Sequence, residues 1–357
     1  MQNLRIKTLD SFRAIAILMV LFFHFFSRWT AIYPYGATFD YFKLGKFGVH
    51  FFFIISGFVI LYTLEKTTSF RNFWTNRFIR LFPSMLIASS LTLLFCLLFD
   101  NNNLFPTSHL FKNLIVSCTF LPPDLVSLLF QSNCNLDYIS GSYWSLWPEI
   151  QFYVLISTTY FCFKKNFTFI LLSLCTILII FGNLLSHCYL ANEHIMNLKK
   201  ILTVFNLITP LPYFVLGIIF YELFKSKQHH SKINPMIKFV FVFLIGVLWF
   251  QNDYNLAKMT LIITFISLFI CLIYCPKKIS FLDSKYIQNI GVSSYFLYLI
   301  HENIGVLIIQ KSNEFDPKFQ LLIPLTVLVI LIILSVFYTQ IIEKKIHLFL
   351  KKKPTSP

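Results

Sequence analysis

Residues 11–31 of this chain read SFRAIAILMVLFFHFFSRWTA, an apolar run interrupted by Arg13, His24 and Arg28. A helix needs about 20 apolar residues to cross the roughly 30 Å hydrocarbon core of a bilayer, so this run is long enough for one span. Arg13 and His24 within the run, and the lack of a small-residue cleavage site after it, are not typical of a removable signal peptide. The run therefore predicts a retained transmembrane helix.

The rest of the chain repeats this pattern. Hydrophobic residues make up 57% of its 357 residues and charged residues 13%, which is more apolar than a soluble domain. We predict an all-α, polytopic transmembrane helical bundle of about ten spans, with residues 1–350 as a single integral-membrane domain and 351–357 as a basic cytoplasmic tail. The apolar blocks cover about 11–31, 47–64, 82–99, 142–163, 167–186, 201–224, 236–251, 256–275, 290–310 and 320–342.

The positive charges predict the orientation of these spans. The net charge is +15, and the lysines and arginines form short clusters between apolar blocks. If the N-terminus is cytoplasmic, most of the 30 basic residues fall in cytoplasmic connections, as the positive-inside rule requires. Both termini are then cytoplasmic, and nucleic acid is not an expected partner. The longest polar connection, about 100–141, is placed outside, with a short interfacial helix near 110–121.

Two ionisable residues lie in the first block. Arg13 and His24 are 11 residues apart, so they share nearly one helix face and are separated by roughly 16 Å along the axis. Ionisable groups inside a bilayer are costly and mark candidate functional sites. The alternative is that Arg13 extends to the interface and His24 hydrogen-bonds a neighbouring helix. The spacing alone favours neither interpretation.

A pair of arginines lies in the predicted cytoplasmic loop that precedes the third block. Arg77 and Arg80 are three residues apart and would project from one side of a helical turn. Two neighbouring guanidinium groups suit a phosphorylated ligand. An interfacial basic helix that contacts lipid head groups is the alternative, and the residues by themselves favour it.

Polar residues also occur in the second and fourth blocks. Ser56 and Gly57 form a small pair that permits close helix approach, which is favoured over direct chemistry. Trp144 and Ser145 precede Glu149, whose carboxylate suits the N-terminus of a helix. Glu149 is alternatively a partner for Arg13 or His24.

The ninth block carries a narrow polar stripe. At 100° per residue, Ser294, Tyr298, His301 and Gly305 stay within roughly 60° of one another. A polar stripe on an apolar helix is predicted to face protein or water rather than lipid.

Five segments, taken together and in order, resemble the acyltransferase-3 family of integral-membrane O-acyltransferases that act on surface glycans. His50 stands where many relatives have Asp, and Pro148 where many have a small aliphatic residue. Neither change touches a residue to which a role is assigned below. The segments are 9–16 with His24, 48–58, 77–83, 143–153 and 294–301.

This resemblance implies transfer of an acyl group, usually acetyl, from cytoplasmic acetyl-CoA or another acyl-CoA. The acceptor would be a hydroxyl of a lipid-linked or cell-surface polysaccharide such as O-antigen, capsule or exopolysaccharide. It also implies a bacterial inner membrane. No Cys and His spacing typical of zinc occurs, and no metal is expected. The competing function is a transporter or flippase for a glycolipid or small anion, and a third is a non-catalytic membrane subunit.

The candidate site follows from these motifs. His24 is the expected catalytic base, because a sugar hydroxyl is a poor nucleophile until its proton is removed. The base would act either directly on the acceptor or through an acyl-enzyme, and the sequence favours neither route. Arg13 would orient or charge-stabilise the thioester, and Glu149 would pair with Arg13 or position His24. Arg77 and Arg80 would bind the coenzyme A phosphates. Further candidate pocket residues are Ser56, Trp144, Ser145, Tyr298 and His301.

Overall fold

The computed structural model describes residues 6–33, 35–130, 135–188, 192–311 and 321–351. These residues are mostly helical and contain no strand, which confirms the predicted all-α fold. The predicted tail lies outside the described residues except for Lys351. In chain order the helices are α1 Lys7–Phe23, α2 Gly48–Leu64, α3 Phe70–Phe99, α4 Phe111–Thr119, α5 Pro123–Leu129, α6 Leu146–Cys162, α7 Phe167–Ser186, α8 Glu193–Val204, α9 Leu211–Gln228, α10 Pro235–Gln251, α11 Leu256–Tyr274, α12 Lys285–Val292, α13 Ser294–Lys311, α14 Leu322–Phe337 and α15 Lys344–Lys351.

Several of these helices are membrane-spanning in length and composition. Within the described ranges, six continuous helical stretches are long and apolar enough to cross a bilayer. A seventh is possible if α12 and α13, which meet at a bend of 68°, act as one broken span. The count of ten spans and the cytoplasmic position of both termini remain predictions.

Two predicted boundaries are wrong. The third helix begins at Phe70 rather than 82, so the predicted loop carrying Arg77 and Arg80 is the first part of α3. Its charges interrupt the apolar pattern but not the helix, which continues through Pro83 although proline lacks an amide donor. The sixth predicted block, 201–224, is divided between α8 and α9, and Pro210 immediately precedes α9. Proline is favoured at such a helix start.

The predicted short helix near 110–121 is present as α4. It ends where Phe120 adopts a left-handed conformation with φ of 61°. Two π-helical turns also occur, at His24–Arg28 directly after α1 and at Tyr338–Glu343 directly after α14. π-helical turns are rare in proteins overall, and those that do occur are often found at functional sites.

The described chain forms two compact units. Unit 1 contains residues 1–49, 75–145 and 282–357, and unit 2 contains residues 50–74 and 146–281. In unit 1, α1 packs closely against α12 and also contacts α13. A Cβ atom at Gly291 of α12 would lie 1.6 Å from the Asp10 carbonyl oxygen, so only glycine permits this approach. Thr8 and Ser11 tie the start of α1 to Asp283 and Leu282 by hydrogen bonds of 2.8 and 2.7 Å.

Unit 2 is organised around α9, a buried helix that packs against α7, α10 and α11. Gly57 of α2 meets Gly217 of α9, where each Cβ would lie about 2 Å from a backbone oxygen of the other helix. The predicted role of Gly57 in close helix approach is thus confirmed. Stacked aromatic rings fill the surrounding core, with centroids 4.2 Å apart for Phe152 and Phe214 and 4.7 Å apart for Phe220 and Phe269.

Candidate functional site

His24 lies where the α-helical part of the first span ends, and it is the first residue of a π-helical turn. The Tyr33 hydroxyl donates a hydrogen bond of 2.6 Å to the His24 carbonyl oxygen. The His24 Nδ1 atom is 3.3 Å from the Oε1 atom of Glu302 in α13. This distance is within the range of an ion pair, but the two groups are not aligned as a direct hydrogen bond. A carboxylate on this side of the ring favours a proton on Nδ1, so that Nε2 is the basic nitrogen.

Glu302 is enclosed by the short turn that precedes α6. The Ser142 backbone N–H donates to the Glu302 carboxylate, and the Ser140 hydroxyl oxygen lies 3.4 Å from Oε2. A Cβ atom at Gly141 would lie 3.6 Å from the same oxygen, so the turn follows the carboxylate closely. A buried carboxylate is tolerated only when it is hydrogen-bonded or paired, and Glu302 has both kinds of partner.

His301 is fully buried beside this pair. Its Nδ1 atom is 2.6 Å from the Tyr298 carbonyl oxygen, which can only accept, so we assign the ring proton to Nδ1. Its Nε2 atom is then an acceptor, and it has no hydrogen-bond partner among the residues that the structure describes. The ring stands edge-on to His24, with centroids 4.7 Å apart. An unsatisfied buried acceptor is rare in proteins and is suited to a substrate proton.

A hydrogen-bond network joins the long 100–145 connection to α13 next to Glu302. The Ser140 hydroxyl donates to Asn303 Oδ1 at 2.8 Å, and Asn303 Nδ2 donates to the Ser108 hydroxyl at 2.6 Å. The Ser108 hydroxyl donates in turn to the Ile139 carbonyl oxygen. This buried network holds the turn that encloses the Glu302 carboxylate.

The predicted polar stripe of the ninth block is buried against protein, as expected. The Tyr298 hydroxyl donates to the Ser142 carbonyl oxygen at 2.7 Å and lies 2.8 Å from the Ser145 hydroxyl. Both side chains therefore support the Glu302 turn. Trp144, in the same turn, is 45% exposed. A Cβ at Gly305 would lie 2.5 Å from the Phe25 ring.

The predicted arginines lie in unit 1 near the start of α13. The Tyr295 hydroxyl donates to the Leu81 carbonyl oxygen at 3.2 Å, which places this part of α3 beside α13. Arg77 is only 6% exposed, whereas Arg80 is half-buried and interacts electrostatically with Glu343. Tyr295 precedes His301 by six residues, or about 9 Å of helix.

Arg13 lies at the same end of unit 1. It contacts Asp10 at 3.4 Å from Nη1 to Oδ1, and the Asp10 backbone packs on Gly291 just before α13. Unit 1 thus has basic residues at the end where α13 begins, and the His24, His301 and Glu302 cluster lies deeper along both helices.

Glu149 occupies the first turn of α6, as expected from Pro148 and the helix dipole. Within unit 2 its carboxylate accepts hydrogen bonds from the Ser56 hydroxyl at 2.8 Å and from the Tyr153 hydroxyl. Ser56 thus contacts another predicted site residue. The pairing of Glu149 with Arg13 or His24 stays a prediction.

The sequence reasoning missed Glu302. One signal was available, because Glu302 is an acidic residue inside an apolar block of membrane-spanning length. Glu302 does not belong to the polar stripe of the ninth block, because it is rotated by about 100° around the helix from His301. Among the described residues, no group of three or more His, Cys, Asp or Glu side chains could hold a metal ion.

The helices and the buried ionisable cluster define a multi-pass α-helical membrane protein with a polar centre. A family model described as an acyltransferase domain matches residues 6–343, nearly the whole chain. The protein therefore belongs to the acyltransferase-3 family and is a membrane acyltransferase. Comparison with curated proteins and with solved structures gives no match.

Proposed function

We propose that this membrane acyltransferase moves an acetyl group from cytoplasmic acetyl-CoA to a hydroxyl of a lipid-linked or cell-surface polysaccharide, such as O-antigen, capsule or exopolysaccharide. It would act in the bacterial inner membrane. The observation that carries the proposal is the His24 imidazole held 3.3 Å from the buried Glu302 carboxylate. A base with a carboxylate behind it is the arrangement that hydroxyl activation needs.

In this mechanism His24 Nε2 takes the proton of the acceptor hydroxyl. The hydroxyl oxygen forms a bond with the thioester carbonyl carbon, the carbon–sulfur bond breaks, and the thiolate takes the proton from the imidazolium. Glu302 stabilises that imidazolium because it carries the opposite charge at close range. General base catalysis of this kind contributes typically 10²- to 10⁴-fold in rate.

His301 would act on the same hydroxyl as a hydrogen-bond acceptor. Its Nε2 acceptor, fixed by the contact between Nδ1 and the Tyr298 carbonyl, would orient the acceptor hydroxyl beside His24. Orientation of the reacting oxygen lowers the entropic part of the barrier.

The basic end of unit 1 would bind the donor. Arg80 is more accessible than Arg77 and would contact the coenzyme A phosphates, while buried Arg77 would support it. Arg13 would orient the thioester. Glu149 would act through Ser56 and Tyr153, which its carboxylate contacts.

The test is whole-glycan mass spectrometry on cells that carry the wild type, His24→Ala, His194→Ala or no gene. His194 is an exposed histidine at the start of α8 and serves as the matched control. We expect the mass increment of one acetyl group with the wild type and His194→Ala only. An equal increment with His24→Ala contradicts the base assignment, and its absence from every strain contradicts the acetyl group or the acceptor.

A further inference from the structure

One end of unit 2 carries a cleft bordered by the connections between α6 and α7 and between α9 and α10. Two adjoining cavities of about 550 and 320 Å³ share Thr168, Lys225 and Asn234 in their walls, so they form one continuous depression. We call it the basic cleft, because it is lined by Lys164, Lys165, Lys225 and Lys232.

The charges of the basic cleft are not balanced. Its four lysines outnumber its two acidic residues, Glu65 and Glu222. Lys225 Nζ lies 2.5 Å from Glu65 Oε1, and the Thr168 hydroxyl donates to Glu222 at 3.1 Å. Lys164, Lys165 and Lys232 are exposed. Within the part of the chain that the structure describes, none of these three lysines forms an ion pair with a carboxylate. The cleft therefore has surplus positive charge for an anionic ligand.

Two helices begin at the cleft and add to its positive potential. Asn166 immediately precedes α7, and the Asn234 side chain caps α10 by accepting from the Met236 N–H. Backbone N–H groups at a helix start carry partial positive charge. These termini strengthen the field of the lysines.

Apolar side chains of α7 adjoin the lysines. Phe169 lines the cleft and is 61% exposed, and it lies on α7, one of the helices long and apolar enough to span a bilayer. Only a third of the apolar window of this helix is buried in protein, so α7 presents much apolar surface to the bilayer. A ligand that joins an anionic group to hydrocarbon matches this combination, whereas a free nucleotide would leave the apolar wall unused.

We propose that the basic cleft binds the phosphate head group of an anionic phospholipid, with its acyl chains along the apolar surface of α7. A lysine near an anionic membrane surface strengthens binding by about fivefold. This inference is independent of acetyl transfer, because it concerns unit 2 and a ligand that is not consumed.

The experiment is native mass spectrometry of the purified full chain titrated with phosphatidylglycerol or phosphatidylcholine. The variant is Lys164→Ala/Lys165→Ala. The matched control is Lys277→Ala/Lys278→Ala, because these exposed neighbouring lysines also belong to unit 2 but do not line the cleft. The charge-conserving Lys164→Arg/Lys165→Arg variant separates loss of charge from loss of fold.

We expect the wild type, the control and the arginine variant to bind phosphatidylglycerol in preference to phosphatidylcholine. The alanine variant should lose at least tenfold in affinity for phosphatidylglycerol. Unchanged affinity in that variant would overturn the proposal. Displacement of phosphatidylglycerol from the wild type by acetyl-CoA at equal concentration would also overturn it, because the phosphates recognised would then be those of the donor.

Discussion

Two helix crossings in this molecule are built by opposite means. In unit 2, α2 and α9 meet through Gly57 and Gly217, where no side chain separates the two backbones. In unit 1, the π-helical turn that follows α1 meets α13 through His24, His301 and Glu302, which are ionisable groups inside an apolar protein. At the glycine crossing, the two backbones pack directly against each other and no charged side chain has to lose its hydration.

The second crossing is expensive in a membrane, because a buried charge must be paired to be tolerated. The contact between α2 and α9 forms without such a cluster, so close helix packing in this protein does not depend on one. The glycine crossing therefore has a packing role, and the histidine crossing is where we place the proposed chemistry. Variants of the two crossings should fail in different assays.

The largest effect is expected from Glu302→Gln. The amide keeps the shape of the side chain but cannot stabilise an imidazolium at His24, so acetyl transfer should fall by about 100-fold or more. The measurement is the acetyl transfer rate of purified protein, with Glu193→Gln in exposed α8 as the control. Combining Glu302→Gln with His24→Ala should cost little beyond His24→Ala alone, because the two groups act as a unit. Additive losses would contradict the shared role.

Gly217→Ala should instead remove folded protein. Its new Cβ would lie 2.0 Å from the Ile54 carbonyl oxygen, so backbones rather than flexible side chains must move, at a cost of about 3 kcal/mol. The measurement is the thermal unfolding midpoint in detergent. Gly246→Ala is the matched control, since nothing lies within 4 Å of its Cβ and alanine favours a helix by up to about 1 kcal/mol. Equal midpoints for the two variants would show that the crossing tolerates separation.

Ser140→Ala tests the support of the histidine crossing. It removes the hydrogen bond to Asn303 and the 3.4 Å polar contact with Glu302, and leaving a buried partner unsatisfied costs about 1–3 kcal/mol. We expect roughly a tenfold loss of transfer with a smaller loss of stability. Ser140→Thr, which keeps the hydroxyl, should retain more activity than the alanine variant. The same activity in both variants would remove Ser140 from the positioning of Glu302.

The smallest effect is expected from Asp100→Asn, outside both crossings in the long connection of unit 1. Burial by itself raises the pKa of Asp100. Hydrogen bonds with His109 and with the N–H groups of Phe105 and Leu104 lower this pKa by more than burial raises it, so the net pKa lies below its usual value. The carboxylate therefore stabilises the fold fully above its unfolded-state pKa of about 3.9, and this stability is lost as pH falls through the lower folded pKa.

The measurement is the unfolding midpoint against pH. Asp100→Asn should be less stable than wild type at pH 6, and the difference should shrink as pH falls below about 4. Asp253→Asn is the control, because Asp253 forms an exposed pair with Lys258 that salt screens. If the midpoints of Asp100→Asn and wild type differed by the same amount at every pH, ionisation of the Asp100 carboxyl would not be the source of the stability difference.

Only part of the histidine crossing could be predicted from the sequence. His24, Arg13 and the polar stripe of the ninth block could be predicted, because each interrupts an apolar run or repeats at helical spacing. Glu302 was missed because it lies off that stripe, and the turn 141–145 could not be joined to it since the two are far apart in the chain. The length of α3 was underestimated because arginines end an apolar pattern without ending a helix.

The sequence by itself determined an all-α membrane protein of the acyltransferase-3 family, since span length and hydrophobicity are local properties of short runs and the family motifs stand in order. The tertiary structure alone decided which groups face His24. Helical spacing defines the face of a helix but not the helix opposite, and that choice depends on packing between distant segments. The approach of α13 to α1, and the closure of the Ser140–Ser145 turn on Glu302, are what place a carboxylate behind the imidazole.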